Sequence, residues 1–144
     1  MKFWDSSALV PLCLEEPATA AALDLYENDP EMVVWWGSPV ECGSAFARLR
    51  REGTLAGDQE SIALSMLDSL GGLWHEIQPT AELRAQALRL LRVHALRAAN
   101  ALQLAAGLAW AGMPAEGEFV TLDDRLGSAA RREGFQVIPS PTAR

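Results

Sequence analysis

Met32-Val33-Val34-Trp35-Trp36-Gly37-Ser38-Pro39-Val40-Glu41 is the stretch on which the fold turns. Its first four residues are apolar without alternation, the pattern of a strand covered on both faces. Ser38 then reads as a helix cap with Pro39 at the first helical position, and Glu41, three residues after Ser38, completes a capping box. The helix carries Arg48, Arg50 and Arg51 before Gly53 closes it. A doubly covered strand that passes straight into a helix belongs to a layered α/β protein.

Working outward, the same alternation recurs. Phe3-Trp4 is a short strand stopped by Asp5. Ser6-Ser7 opens a helix with Ala8, Leu9 and Leu12, and Pro17 begins another that runs to Tyr26. Beyond Gly53, a helix from Asp58 to Leu70 ends at Gly71-Gly72, and Leu73 to Ile77 is a third strand. Thr80 caps a helix with Leu83, Ala87, Leu88, Leu90 and Leu91 on near-helical spacing. Ala98 to Ala111 is an apolar helix ended by Gly112 and Pro114. Phe119 to Leu122 is a strand, Asp124 to Glu133 a helix and Phe135 to Ile138 the last strand. Strands separated by helices pair in parallel, because each connection must cross over a sheet face. The expected architecture is a three-layer α/β/α sandwich with a central parallel sheet of four to five strands. Ligands in such sheets bind beyond the carboxyl ends of the strands, where strand order reverses.

Composition bounds the function. At 144 residues and 49% hydrophobic, the chain has the size of one globular domain spanning residues 1–144. A net charge of -7 excludes a purely electrostatic nucleic-acid binder, so a polyanion must be held through a metal or a local basic patch. Cys13 and Cys42 form no C-x-x-C pair and no disulfide framework, which fits a reducing cytoplasm. Asp5 interrupts any signal-like start, and Gln103 breaks an apolar run already too short to span a bilayer, so neither export nor membrane insertion is expected.

The strand ends carry acid. Asp5 follows the first strand, Glu41 lies in the first turn after the second, and Asp123 and Asp124 follow the fourth; Asn100 opens the helix that leads into it. Each sits where a helix cap sits, and singly a cap explains each. Jointly, caps do not explain why one edge gathers acids rather than the usual mixture of Ser, Thr, Asn and Asp. Carboxylates brought together raise one another's pKa, and a divalent cation resolves the repulsion; oxygen donors select magnesium or manganese over zinc.

These segments resemble a known family. Phe3-Trp4-Asp5-Ser6-Ser7-Ala8-Leu9, Pro39-Val40-Glu41, the run from Leu96 through Asn100 to Ala106, and Phe119-Val120-Thr121-Leu122-Asp123-Asp124-Arg125-Leu126 are similar, in order and spacing, to the four acidic motifs of PIN-domain proteins, in particular the VapC toxins of bacterial toxin-antitoxin pairs. The resemblance covers essentially the whole chain. It implies a Mg2+- or Mn2+-dependent endoribonuclease inhibited by a cognate antitoxin, with a homodimer as its expected assembly. Asp5, Glu41 and Asp123 match three acidic positions, with Asp5, Asp123 and Asn100 at the metal. Ser6 and Thr121 match the hydroxyl residues around the site, with Asp124 in support. Asn100 departs from the pattern, which has aspartate there: an amide keeps a carbonyl oxygen but offers neither charge nor basicity. A deliberately inactivated form, a natural variant working with three acids, and a degenerate member that binds RNA or protein without cutting all fit that substitution.

Arg48, Arg51 and Arg97 are candidate RNA-phosphate contacts, set against the plain reading of solvated helix arginines. His75 and His94 read as structural, Cys42 as a small buried hydrophobe, and Trp35-Trp36 as core or oligomer surface. Leu23 and Tyr26 lie on helices that could supply a dimer seam or an antitoxin groove. A phosphoacceptor receiver domain also gathers acids at a sheet edge, but it needs a lysine after its last strand, and Lys2 is the sole lysine.

Overall fold

The apolar runs become strands too short to stand alone, and Lys2–Trp4 and Met32–Trp35 at the centre are fully buried beneath the connecting helices while the edge strand His75–Ile77 is largely exposed. The computed structural model describes residues 1–140. In chain order the elements are β1 (Lys2–Trp4), α1 (Ser6–Cys13), α2 (Thr19–Asn28), β2 (Met32–Trp35), α3 (Ser38–Arg51), α4 (Gly57–Gly71), β3 (His75–Ile77), α5 (Ala81–Val93), α6 (Ala98–Ala111), β4 (Glu118–Val120), α7 (Asp124–Arg132) and β5 (Gln136–Ile138). The strands form one sheet in the order β3-β2-β1-β4-β5, and every pairing is parallel. Chain order therefore reverses between β1 and β4, where Phe3 pairs with Phe119 and Trp4 with Val120.

Alternation along each strand separates two cores. Phe3, Val33, Phe119 and Val137 pack with Leu83 and Leu90 of α5, Leu104 of α6 and Leu126 of α7. On this side the rings of Phe3 and Phe119 stack at 4.9 Å, and Phe135 meets Phe119 at 5.0 Å. Trp4, Met32, Val34 and Val120 face the other way, against Leu9 of α1, Phe46 of α3 and Leu67 of α4. Each large side chain so buried contributes about 1.5–3 kcal/mol. All four residues of β2 are buried, as its unbroken apolar run requires.

Several helix ends differ from the sequence reading. Asp5, Thr80 and Asp123 do cap α1, α5 and α7, accepting from the backbone N–H of Ala8, Leu83 and Leu126 at 3.3, 3.1 and 3.0 Å. Ser38 does not cap α3: Gly37 occupies that position, and the Ser38 hydroxyl is buried, accepting from Gln103 Nε2 at 2.9 Å. The expected capping box is thus absent, and Glu41 is released for other partners. Asn100 is no cap either; Arg97 holds that place for α6. Helix α2 begins at Thr19 rather than Pro17, because the Thr19 hydroxyl accepts from Glu16 N–H and donates to Leu14 C=O, stitching the preceding turn. Strand β3 begins at His75, with Leu73 left exposed, and β4 ends at Val120, so Thr121 and Leu122 lie in the loop beyond it. Trp35 is core but Trp36 is 52% exposed. His94 is buried and bonds Glu133 at 2.6 Å, in keeping with a structural role.

Candidate functional site

The reversal between β1 and β4 opens the sheet edge where the two strands end in Asp5 and Asp123. Asp5 is almost fully buried. Its Oδ1 accepts from the Ser7 hydroxyl at 2.7 Å, and Ser7 in turn accepts from Leu122 N–H at 2.8 Å and lies 3.3 Å from the Thr121 hydroxyl. Thr121 Oγ1 accepts from Asp123 N–H at 3.1 Å. The loop after β4 is therefore bolted to the first turn of α1, which holds the two carboxylates at one edge of the sheet. Burial pushes the Asp5 carboxyl up to about 7, and the Asp123 charge adds to the rise while bonds from Ser7, Thr121 and Ala8 oppose it.

Asn100 joins this pair from α6, donating Nδ2–H to Asp123 Oδ2 at 3.1 Å. Because the carboxylate can only accept, the amide presents its nitrogen to Asp123 and keeps its carbonyl oxygen as a donor atom for a cation. One turn along the same helix, fully buried Gln103 donates to Glu41 Oε2 at 3.2 Å as well as to Ser38. The other oxygen of Glu41 accepts from the Ser6 hydroxyl at 2.8 Å. Burial raises the Glu41 pKa against these two hydrogen bonds. Two linked sets result: Asp5, Asp123 and Asn100 around Ser7 and Thr121, and Glu41 around Ser6 and Gln103.

Among the described residues no three His, Cys, Asp or Glu side chains stand together as a metal cluster. The oxygen donors gathered at this edge are the Asp5 and Asp123 carboxylates and the Asn100 amide, all hard. That set fits magnesium, which is commonly held by one or two carboxylates with water and substrate phosphate completing its shell. Glu41 is tied to its own two partners instead of joining the pair.

The basic candidates are more dispersed. Arg97 caps α6 one turn before Asn100. Arg48 and Arg51 are exposed in the last turns of α3, and Arg51 stands ~15 Å along the axis from Glu41. Arg131 was not singled out by sequence, yet it lines a cavity of about 70 Å3 together with Thr121, Asp123 and Asp124. Ser7 and Gln103 were missed as site residues too. Gln103 carried a usable signal, being the polar residue inside an apolar helix; Ser7 stood beside the chosen Ser6 with nothing to distinguish it.

No family model matches the chain, and no curated protein matches it. Solved structures do. VapC20 of Mycobacterium tuberculosis, a toxin that cleaves the sarcin-ricin loop, superposes with a TM-score of 0.68 at 18% identity, covering 94% of this chain and 97% of its own. PAE2754 from Pyrobaculum aerophilum gives 0.66 at 18% identity, over 95% of this chain and 88% of that one. FitAcB from Neisseria gonorrhoeae gives 0.66 at 13% identity, over 95% and 96%. With near-complete coverage on both sides and a five-stranded parallel sheet between helical layers, this chain shares the PIN-like α/β fold of these three structures.

Proposed function

We propose that the chain is a divalent-metal-dependent endoribonuclease, the toxin of a toxin-antitoxin pair, working in the cytoplasm as a homodimer restrained by a cognate antitoxin. The observation that carries this reading is the meeting of Asp5 and Asp123 at the β1/β4 reversal, with the Asn100 amide bonded to Asp123. Likeness in fold to a toxin that cleaves RNA supports it. Asp5, Asp123 and the Asn100 carbonyl oxygen are the residues that would hold Mg2+ or Mn2+. Such an ion, when bound, neutralises non-bridging phosphate oxygens and acidifies water. Ser7 and Thr121 fix the carboxylate rotamers, so the site needs little reorganisation when substrate arrives. Glu41, with its raised pKa and fixed by Ser6 and Gln103, is placed to hold or accept a proton at its carboxylate. Asp124 supports the edge from the first turn of α7.

A second reading has its own observation. Asn100 supplies Asp123 with a hydrogen-bond donor, which steadies that carboxylate without a cation, as a PIN-fold module that binds RNA or protein without cutting would require. A manganese-dependent cleavage assay separates the two. The native chain is expected to cleave RNA slowly, Asn100→Asp at least about tenfold faster, a factor worth ~1.4 kcal/mol of transition-state stabilisation, and Asp5→Asn and Asp123→Asn not at all. Failure of both the native chain and Asn100→Asp to cut with metal present would overturn the nuclease reading in favour of the binding module.

A further inference from the structure

From the cleft on α7 we infer a second, basic element of the site: a track that grips phosphates of the RNA strand beside the acidic centre. The inference rests on the ribonuclease reading and names residues that the motifs do not. A cavity of about 280 Å3 runs along α7 against the α5–α6 connection, lined by His94, Asp124, Arg125, Ser128 and Arg132. Arg125 and Arg132 are seven residues apart, so they share one face of the helix, ~10 Å apart along its axis, with the Ser128 hydroxyl between them. Both arginines are exposed, and neither forms an ion pair among the described residues. In a chain of net charge -7, the cleft sets two such guanidinium groups on one helix face with a hydroxyl between them.

Position gives the pair its meaning. Asp123 caps α7, and Arg125 follows two residues later, so the cleft opens at the acidic edge and leads away from it. Asp124 stands in the wall at that end. The opposite wall is rigid, since His94 is buried and held by Glu133, which Arg89 also anchors at 2.7 Å. Guanidinium groups suit phosphate oxygens through forked hydrogen bonds, and a hydroxyl between them adds a neutral donor. An RNA strand with one phosphate at Asp5 and Asp123 can lay its neighbouring phosphates on Ser128 and the two arginines.

The test measures binding of a labelled single-stranded RNA to the Asp5→Asn chain by fluorescence anisotropy across a sodium chloride series. In that uncleaving background, Arg125→Ala with Arg132→Ala should weaken binding about tenfold and flatten the salt slope by ~1.4, the release of counterions from two single-strand phosphates. Arg50→Ala with Arg84→Ala makes the same change in net charge on α3 and α5 and should leave the slope nearly unaltered. A slope unchanged by the α7 pair, or lowered equally by the control pair, would overturn the track while leaving the nuclease reading standing. No RNA binding at low salt by the parent would also overturn the track, and the manganese cleavage assay above would still decide the nuclease reading on its own. If the α7 pair left RNA binding untouched but abolished binding of a glutamate-rich peptide, the cleft would be a protein-binding surface and the RNA track would be wrong.

Discussion

Asp5 shows how one side chain can be placed for chemistry at a cost to stability. Its carboxyl is raised from 3.8 to about 7, chiefly by burial, so the folded chain retains a proton that the unfolded chain has already released. Stability therefore falls as pH rises between those two values and levels off above the higher one. Asp5→Asn ionises in neither state and keeps an oxygen for Ser7 and Ala8. In EDTA, this variant should match the native chain near pH 4 and exceed it above about pH 7, by on the order of 3 kcal/mol. Urea midpoints across that range check this; a gap that is independent of pH would mean the carboxylate is not the destabilising group. The acids were legible because strand ends in parallel sheets point to one edge, so Asp5 and Asp123 could be placed from order alone. Their holders were not. Which hydroxyl of Ser6 and Ser7 faces which acid depends on the rotation of α1, and Glu41 looked like a capping-box residue because Ser38 precedes it by three. Gly37 precedes the helix without a side-chain cap, and Ser38 turns its hydroxyl inward to Gln103 across the core, a partner no local pattern could name.

Helix α6 approaches the sheet closely at Gly107. A Cβ built there would lie 2.9 Å from Phe119 Cε2 and 3.2 Å from Phe135 Cζ, so the helix rests on the two rings through bare backbone. Gly107→Ala gains about 1 kcal/mol of helix propensity but forces packed aromatics apart, at a cost of about 1–3 kcal/mol. The net expectation is a destabilised protein. At Gly127 of α7 the nearest atoms, Thr121 Cγ2 and Val137 Cγ1, are 3.4 Å away, so Gly127→Ala should be neutral or mildly stabilising. Thermal unfolding of the two variants checks the contrast, and equal shifts would show that packing against Phe119 is not what distinguishes the sites. The elements themselves were readable because their apolar runs are separated by Gly, Pro and polar caps, and β2 in particular has no polar face to confuse it. Their ends were less so. Strand β4 read as continuing to Leu122, yet Leu122 N–H bonds the Ser7 hydroxyl instead of a neighbouring strand. That partner lies 115 residues away, beyond the reach of any local pattern.

Across the whole molecule, two carboxylates pull the pH profile in opposite directions from Asp5. Glu133, at the end of α7, receives Arg89 at 2.7 Å and His94 at 2.6 Å from α5, and its own C=O accepts from Ala115 N–H in the connection from α6 to β4. Burial works against its charge, but the Arg89 and His94 bonds outweigh it and hold the carboxyl below its ordinary value. Asp29 is drawn down to about 2 by the N-terminal ammonium and Lys2, which pin β1 to the turn before β2. A depressed carboxyl stabilises the fold above its unfolded value and loses that contribution as pH falls through its folded one. Glu133 and Asp29 therefore weaken the fold on the acid side, and Asp5, with Glu41 in the same direction, weakens it upward from its ordinary value, so the metal-free chain should be most stable at about pH 4. Glu133→Gln removes one acid-side contribution and leaves Arg89 and His94 to share an uncharged amide. It should lower stability by about 1–3 kcal/mol at neutral pH, with the difference from the native chain shrinking as pH drops below about 4. Saturating manganese should move the native optimum upward in pH, because a cation at Asp5 favours its ionised form, but leave the acid-side loss from Glu133 unchanged. Urea midpoints against pH, with and without manganese, measure both; an optimum that manganese does not move would show that Asp5 is not where the ion binds.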